Sequence, residues 1–356
     1  MHLMMQFKKK VLELYGPRES EAIFNSHHHD WNGQEASQKA VKATLDSYRI
    51  ADPSSQPLSL VSQEFLTEKK RDLQNSTFKR KEGNISNFIS WLGDKDVGNI
   101  NKRIAGKYVS YLIQSKNLAS NTLSNITSDV GSLFKWAEAR GYIERNPFYN
   151  LQLPKSKKNV QNRRPWRNEE IIKFLRYEKI EMNDFGATLI SLYTGMRLGE
   201  ICELKKAHIQ EGCFQIYEGK TSATSRVVPI NSIFNPVINK LSEKSKDGFL
   251  ITGLNSGGDD NKRSWNFQKR LGRIRVKIGL PKGVVFHSLR NTFTTRMENL
   301  GIPRNHISQL IGHEDGNMAL DVYSGGLAIE PLRESINKLT YGSGMDLSIK
   351  IISQNF

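Results

Sequence analysis

Residues 192–204 read LYTGMRLGEICEL. The stretch sets a single arginine, Arg197, after a Gly-Met turn at the mouth of an otherwise apolar segment. The helical pattern of GATLISLYT breaks at Gly195, and a second helix is expected through RLGEICEL with Arg197 in its first turn. A cation there runs against the helix macrodipole, so the arginine reads as aimed at something. Glu200, three residues on, shares its helix face and can hold the guanidinium by a bidentate pair. The plainer alternative is an ordinary surface ion pair.

The chain of 356 residues that holds this stretch sets the scale: 52 Lys/Arg against 36 Asp/Glu give a formal charge of +16, which points to an anionic polymer more than to a small substrate. The excess is uneven. Residues 1–57 hold 7 basic and 7 acidic side chains, residues 58–164 hold 19 and 9, and residues 165–356 hold 26 and 20. Only Cys202 and Cys213 occur, so neither a disulfide framework nor a cysteine metal site is expected and a reducing, cytoplasmic setting follows. No long apolar run or signal peptide is present, which argues against a membrane.

The chain reads as several parts. Residues 1–57 contain helical pieces, the triplet His27–His29, taken as a solvated loop, and a Pro/Ser-rich end. From 58 to 152 the pattern is helical: Val109, Leu112 and Ile113 should share one face, as should Val130, Leu133, Phe134 and Ala137. Residues 153–166 form a basic, aperiodic linker whose Lys155, Lys157, Lys158, Arg163 and Arg164 suit a phosphate backbone. A second domain, 167–326, opens with Asn168 as N-cap. Within it CFQIYEG and TSRVVPI alternate as strands around GKTSA, a hairpin with Lys220 at its turn. Residues 327–356 form a tail, with Pro331 at a helix N1 position, Leu332, Ile336 and Leu339 on one face, and a strand-like DLSIKIIS.

Two further motifs stand downstream of Arg197. FHSLRNTF puts His287 and Arg290 at i, i+3 in a helix expected from about Val285, and LIGHEDGNMALDVYSGG puts His313 after a helix-ending glycine and Tyr323 before a Gly-Gly break. Each alone is weak, since HxxR is a common accident and a tyrosine before glycines is usually a packing residue.

In order, Arg197, Lys220, His287, Arg290, His313 and Tyr323 resemble the signature of the phage-integrase-type tyrosine recombinases over roughly residues 58–326. The resemblance implies a mainly α, multidomain fold: a helical core-DNA-binding domain and an α+β catalytic domain with a small antiparallel sheet, forming a clamp around DNA. It implies a nucleoid-associated, site-specific recombinase, the integrase of a prophage or other mobile element, acting as a homotetramer on double-stranded DNA attachment sites without a metal or other cofactor. Tyr323 would be the nucleophile, making a 3′-phosphotyrosyl bond. Arg197 and Arg290 would grip the phosphate, Glu200 would brace Arg197, Lys220 would protonate the leaving 5′-oxygen, and His287 and His313 would assist. Tyr341 is the only late competitor of Tyr323. A host DNA-bending or directionality factor, arm-site DNA or protein contact by residues 1–57, and docking of the tail on a neighbouring protomer, with packing on its own domain as the alternative, are further expectations. Two other classes stay in play, a type IB topoisomerase-like relaxation activity and a non-catalytic DNA-binding protein on the same fold.

Overall fold

The apolar spacing of residues 58–139 folds into four helices: α1 (Leu58–Asp72), α2 (Asn75–Leu92), α3 (Lys102–Lys116) and α4 (Ser120–Ala139). The computed structural model describes residues 56–116, 118–154, 163–217, 225–313 and 328–354. The readings made for residues 1–55, including His27–His29, and for Lys155, Lys157, Lys158, Lys220 and Tyr323 lie outside the described residues. The chain divides into two units that meet in sequence at Lys157 and Lys158.

In the first unit, Leu58, Val61 and Phe65 of α1 meet Ile85 and Phe88 of α2 and the stripe Val130, Leu133, Phe134 and Ala137 of α4, all buried. Phe88 is the hub, with ring centroids of Tyr108, Phe148 and Phe134 at 4.8, 5.5 and 5.9 Å in edge-on arrangements, the geometry aromatic quadrupoles favour. On α3, Val109 and Leu112 are buried but Ile113 is 42% exposed. It stands one step past the edge of the stripe centred on Ala105, Tyr108 and Leu112, so the expected face is narrower by one residue. Asp129, buried on α4, ties that helix to α2: Arg80 Nε lies 3.1 Å and Lys81 Nζ 3.2 Å from its carboxylate, and Asn84 donates at 2.9 Å.

The second unit is built around one helix that is internal from Asp184 onward. Its elements are α5 (Asn168–Leu175), α6 (Met182–Thr194), α7 (Leu198–Glu203), β1 (Ile209–Gln210), β2 (Cys213–Ile216), β3 (Arg226–Pro229), α8 (Asn235–Lys244), α9 (Ser264–Lys277), α10 (Ser288–Asn299), α11 (Arg304–Ile311), α12 (Ile329–Asn337) and α13 (Ser343–Gln354). Every residue of α6 from Asp184 to Thr194 is buried, which is why its sequence shows no polar face. The strands form an antiparallel sheet in the order β1-β2-β3, with Cys213 opposite Pro229 and Ile216 opposite Arg226. The two strands expected on either side of GKTSA therefore pair antiparallel, extended by a two-residue strand too short to carry a period, while residues 218–224 between them lie outside the described residues.

Three expectations change. DLSIKIIS is not a strand but part of α13: Met345, Ile349 and Ile352 are its buried face, a helical spacing that the alternation of Leu347, Ile349 and Ile351 masks. Asp346, in its first turn, accepts from Tyr193 Oη at 3.2 Å and from the Tyr341 amide at 3.3 Å, and in the single chain α13 packs against α5 of its own unit. The N-cap of α5 is Arg167 rather than Asn168, because the Glu170 carboxylate takes the Arg167 amide at 2.8 Å. Pro331 is the third residue of α12 and not the first, since that helix starts at Ile329; its missing N–H is still one a helix start leaves unpaired. Among the described residues no helix is long and apolar enough to cross a membrane.

Candidate active site

The site is assembled by helix ends in the second unit. Gly195 caps α6 in the left-handed region at φ 66°, and a Cβ there would stand 2.6 Å from Phe293 and 2.8 Å from Ile311. Only glycine turns the chain in that space. The turn makes Arg197 the N-cap of α7 rather than a member of its first turn. Glu200 then accepts the Arg197 amide at 2.9 Å with one carboxylate oxygen and Arg197 Nη1 at 2.9 Å with the other. So the unfavourable cation at a helix start is offset by a carboxylate that caps the same helix.

Arg290 sits on α10 and is 6% exposed. Its Nη1 donates to the Gly195 carbonyl at 2.9 Å and to the Ile311 carbonyl at 2.7 Å, while its Nη2 is buried with no hydrogen-bond partner among the described residues. Burial, together with the neighbouring charges of Arg197 and Arg226, pushes its pKa down to about 10. A buried unpaired donor on a cation is costly unless an anion comes to it.

His287 is the residue just before α10, which begins at Ser288 and not near Val285, because Val285–His287 form a turn closed by Ser288 N donating to Val285 O at 2.8 Å. The imidazole is open to solvent on one side, yet desolvation by the wall behind it and the charges of Arg163, Arg290 and Arg197 lower its pKa. Arg163, Trp166, Arg197, Gln268, Arg275 and His287 line a cleft of 490 Å³. Trp166 fixes one wall of it: its amide donates to Thr292 Oγ1 at 2.8 Å and its indole to Val285 O at 3.0 Å.

The remaining expected residues divide. Gly312 caps α11 at φ 63° and His313, exposed, closes the cap through its amide to Ser308 O at 3.0 Å, so His313 stands at the exit of the helix that Arg290 holds. Arg164 lies in a two-point ion pair with Glu170, which occupies the guanidinium expected to meet a phosphate. Tyr341 is 4% exposed and donates to Leu192 O at 2.5 Å; burial raises its pKa, the reverse of what a nucleophile needs. Arg226 was missed by the sequence reading. Its side chain is 3% exposed and its Nη2 lies 2.9 Å from Glu200. The available signal was a charge entering the apolar strand RVVP.

Burial by itself would raise the Glu200 carboxyl, but the hydrogen bond and charge of Arg226 and the two hydrogen bonds from Arg197 outweigh it and hold the pKa below the ordinary value. The assembled group is thus one ionised carboxylate beneath three arginines and a histidine of lowered pKa. It is a net cationic pocket suited to a tetrahedral anion.

Residues 165–325 match the phage integrase family, and residues 58–158 match the phage integrase SAM-like domain. Tyrosine recombinase XerC of Oceanobacillus iheyensis is 28% identical over 252 residues, covering 65% of this chain and 78% of the relative. A tyrosine recombinase of Thermosipho africanus is 22% identical, covering 70% and 88%. Among solved structures, a lambda integrase tetramer bound to a Holliday junction superposes with a TM-score of 0.63 at 18% identity, over 82% of this chain and 89% of that one. The Tn1549 transposon integrase in complex with a circular-intermediate DNA does so at 0.62 and 19%, over 80% and 100%. The fold, the arginine-rich site and both family matches agree: the chain belongs to the phage integrase family and is a tyrosine recombinase.

Proposed function

We propose that the protein is the integrase of a prophage or another mobile element, and that it cuts and rejoins duplex DNA at specific sites. The observation that carries this reading is Arg290, a buried guanidinium whose Nη2 has no partner among the described residues, beside Arg197 and His287, whose charges act on one another. A scissile phosphate supplies the anion that such a group lacks. In the proposed step Tyr323 Oη attacks phosphorus, the P–O5′ bond breaks, and Lys220 gives its proton to the departing 5′-oxygen. Arg197 and Arg290 hold the non-bridging oxygens, and His287 and His313 donate to the phosphate or assist the tyrosine proton. The 3′-phosphotyrosyl bond conserves the phosphodiester, so a 5′-hydroxyl from another strand reseals it.

The domains are proposed as 1–57 for arm-type DNA or protein contact, 58–152 for core DNA, 153–166 as basic linker and 167–326 for chemistry, the two domains clamping duplex DNA. The tail packs on its own unit in the single chain, through Met345, Ile349 and Ile352, and docking of part of residues 327–356 on a neighbouring protomer is proposed only for the assembly. The lambda integrase match is a tetramer on a Holliday junction, and four copies of this chain on two sites are proposed by likeness. A host DNA-bending or directionality factor would act on that assembly. The test is a nicked suicide duplex carrying a site selected by the native protein from a random library, run on a denaturing gel. A protein-DNA adduct is expected from the native chain and from Tyr341→Phe, and none from Tyr323→Phe. An adduct that survives Tyr323→Phe sinks the mechanism.

A further inference from the structure

Arg226 makes three connections from one buried side chain. Its Nη2 lies 2.9 Å from Glu200 Oε2 and its Nη1 3.4 Å from Glu200 Oε1, and its Nε donates to Leu310 O at 2.8 Å. The two Glu200 oxygens are the same ones that hold the amide and Nη1 of Arg197. Leu310 is in the last turn of α11, one residue before the carbonyl that Arg290 takes. Arg226 also opens β3, opposite Ile216, six residues after Lys220 in sequence. The space it fills is reserved for it: a Cβ on Gly312 would stand 2.7 Å from Arg226 Nη1.

We infer that Arg226 is a positioning residue for DNA cleavage: it fixes Glu200, and through Glu200 the Arg197 guanidinium, while pinning the end of α11 that leads to His313. The inference rests on the reading of Arg197 as a phosphate ligand. The geometry gives the reason. Arg197 is 39% exposed and Glu200 12%, so the pair they form by themselves is half solvated and its geometry loosely held. Arg226, 3% exposed, anchors the far side of the carboxylate in a fork that cannot rotate away. A guanidinium that must meet a transition state benefits most when its own partner is already fixed. Burial also works against an ionised Glu200, and Arg226 is its principal counter-charge. Without Arg226 the carboxyl takes up a proton more readily and Arg197 loses its brace at mildly acid pH.

The experiment uses the full chain and the nicked duplex carrying the library-selected site, with single-turnover adduct formation and DNA affinity measured separately. Arg226→Met should slow adduct formation about 10- to 100-fold, with affinity changed less than about twofold and the deficit larger at pH 6 than at pH 8. In an Arg197→Lys background the same change should cost less than about threefold, since residues acting as one unit are not additive. Arg226→Lys, which keeps a positive charge beside Glu200, should recover part of the rate and flatten the pH profile; it carries the same tests if the methionine variant does not fold. Native cleavage with an equal loss in both backgrounds, a loss matched by lost affinity, or native-like rates in both Arg226 variants would overturn the inference. Absence of adduct from the native chain would instead remove the cleavage reading itself.

Discussion

The unpaired donor of Arg290 predicts that a phosphate-like anion stabilises the DNA-free enzyme through that one residue. Its pKa falls from the ordinary 12.5 to about 10, and at about 1.4 kcal/mol per pKa unit the charged form carries a penalty of about 3 kcal/mol. The sign is that of a base whose folded pKa is depressed: the penalty is fully present below about pH 10 and is relieved only as pH rises towards the unfolded value. At pH 7 it can be relieved only by a counter-anion. A sulfate that recovers half of it adds about 1.5 kcal/mol, and for a unit of this size that is about 3–6 °C in melting temperature. The assay is a thermal melt in sulfate against chloride at matched ionic strength, for the native chain and for Arg290→Gln. Sulfate also stabilises folded proteins generally by exclusion from their surface, so the quantity that decides is the difference between the two chains. An equal sulfate increment in both refutes the reasoning. The same variant should form adduct about 10²–10³ times more slowly.

Two other outcomes follow from the described contacts. The His287 pKa is lowered, by burial first and by Arg163, Arg290 and Arg197 after it; the unfolded chain therefore binds this proton more readily just below about pH 6.5, and stability is lost as pH falls through that value. Melts of His287→Gln and the native chain between pH 7 and 5.5 should diverge, the variant losing less, and parallel curves would contradict the shift. Asp129→Ala should cost the first unit about 2–3 kcal/mol in a urea titration, below the usual cost of breaking a buried pair because Arg80 is 50% exposed and can hydrate; a change under about 0.5 kcal/mol would show that the network is not stabilising.

Legibility in the sequence followed period and local motif. The α4 stripe was readable because Val130, Leu133, Phe134 and Ala137 recur at helical spacing against polar neighbours, and Arg197 with Glu200 because the pair is local. The DLSIKIIS segment was not, since its apolar residues satisfy both a two-residue and a helical period and only packing on α5 decides between them. Arg226 was invisible for a different reason: its partners Glu200 and Leu310 lie 26 and 84 residues away in sequence, and one cation at a strand entrance looks like a solvated edge. Tyr341 needed burial to set it aside. Arg164 sits six residues from Glu170, just outside the i, i+4 spacing by which helical ion pairs are recognised.

The two bonds of Trp166 determine where this chain can be divided. A fragment that begins at Arg167 loses the donor to Thr292 and the donor to Val285, and it uncovers the Phe174 ring that packs edge-on at 5.5 Å. The cut then falls behind the turn that presents His287 and against the helix that carries Arg290. A fragment begun at or before Arg163 retains all three contacts. Separately produced halves of the protein should therefore be joined upstream of Arg163, and in a series of N-terminal truncations the step at Trp166 should be abrupt where its neighbours are gradual.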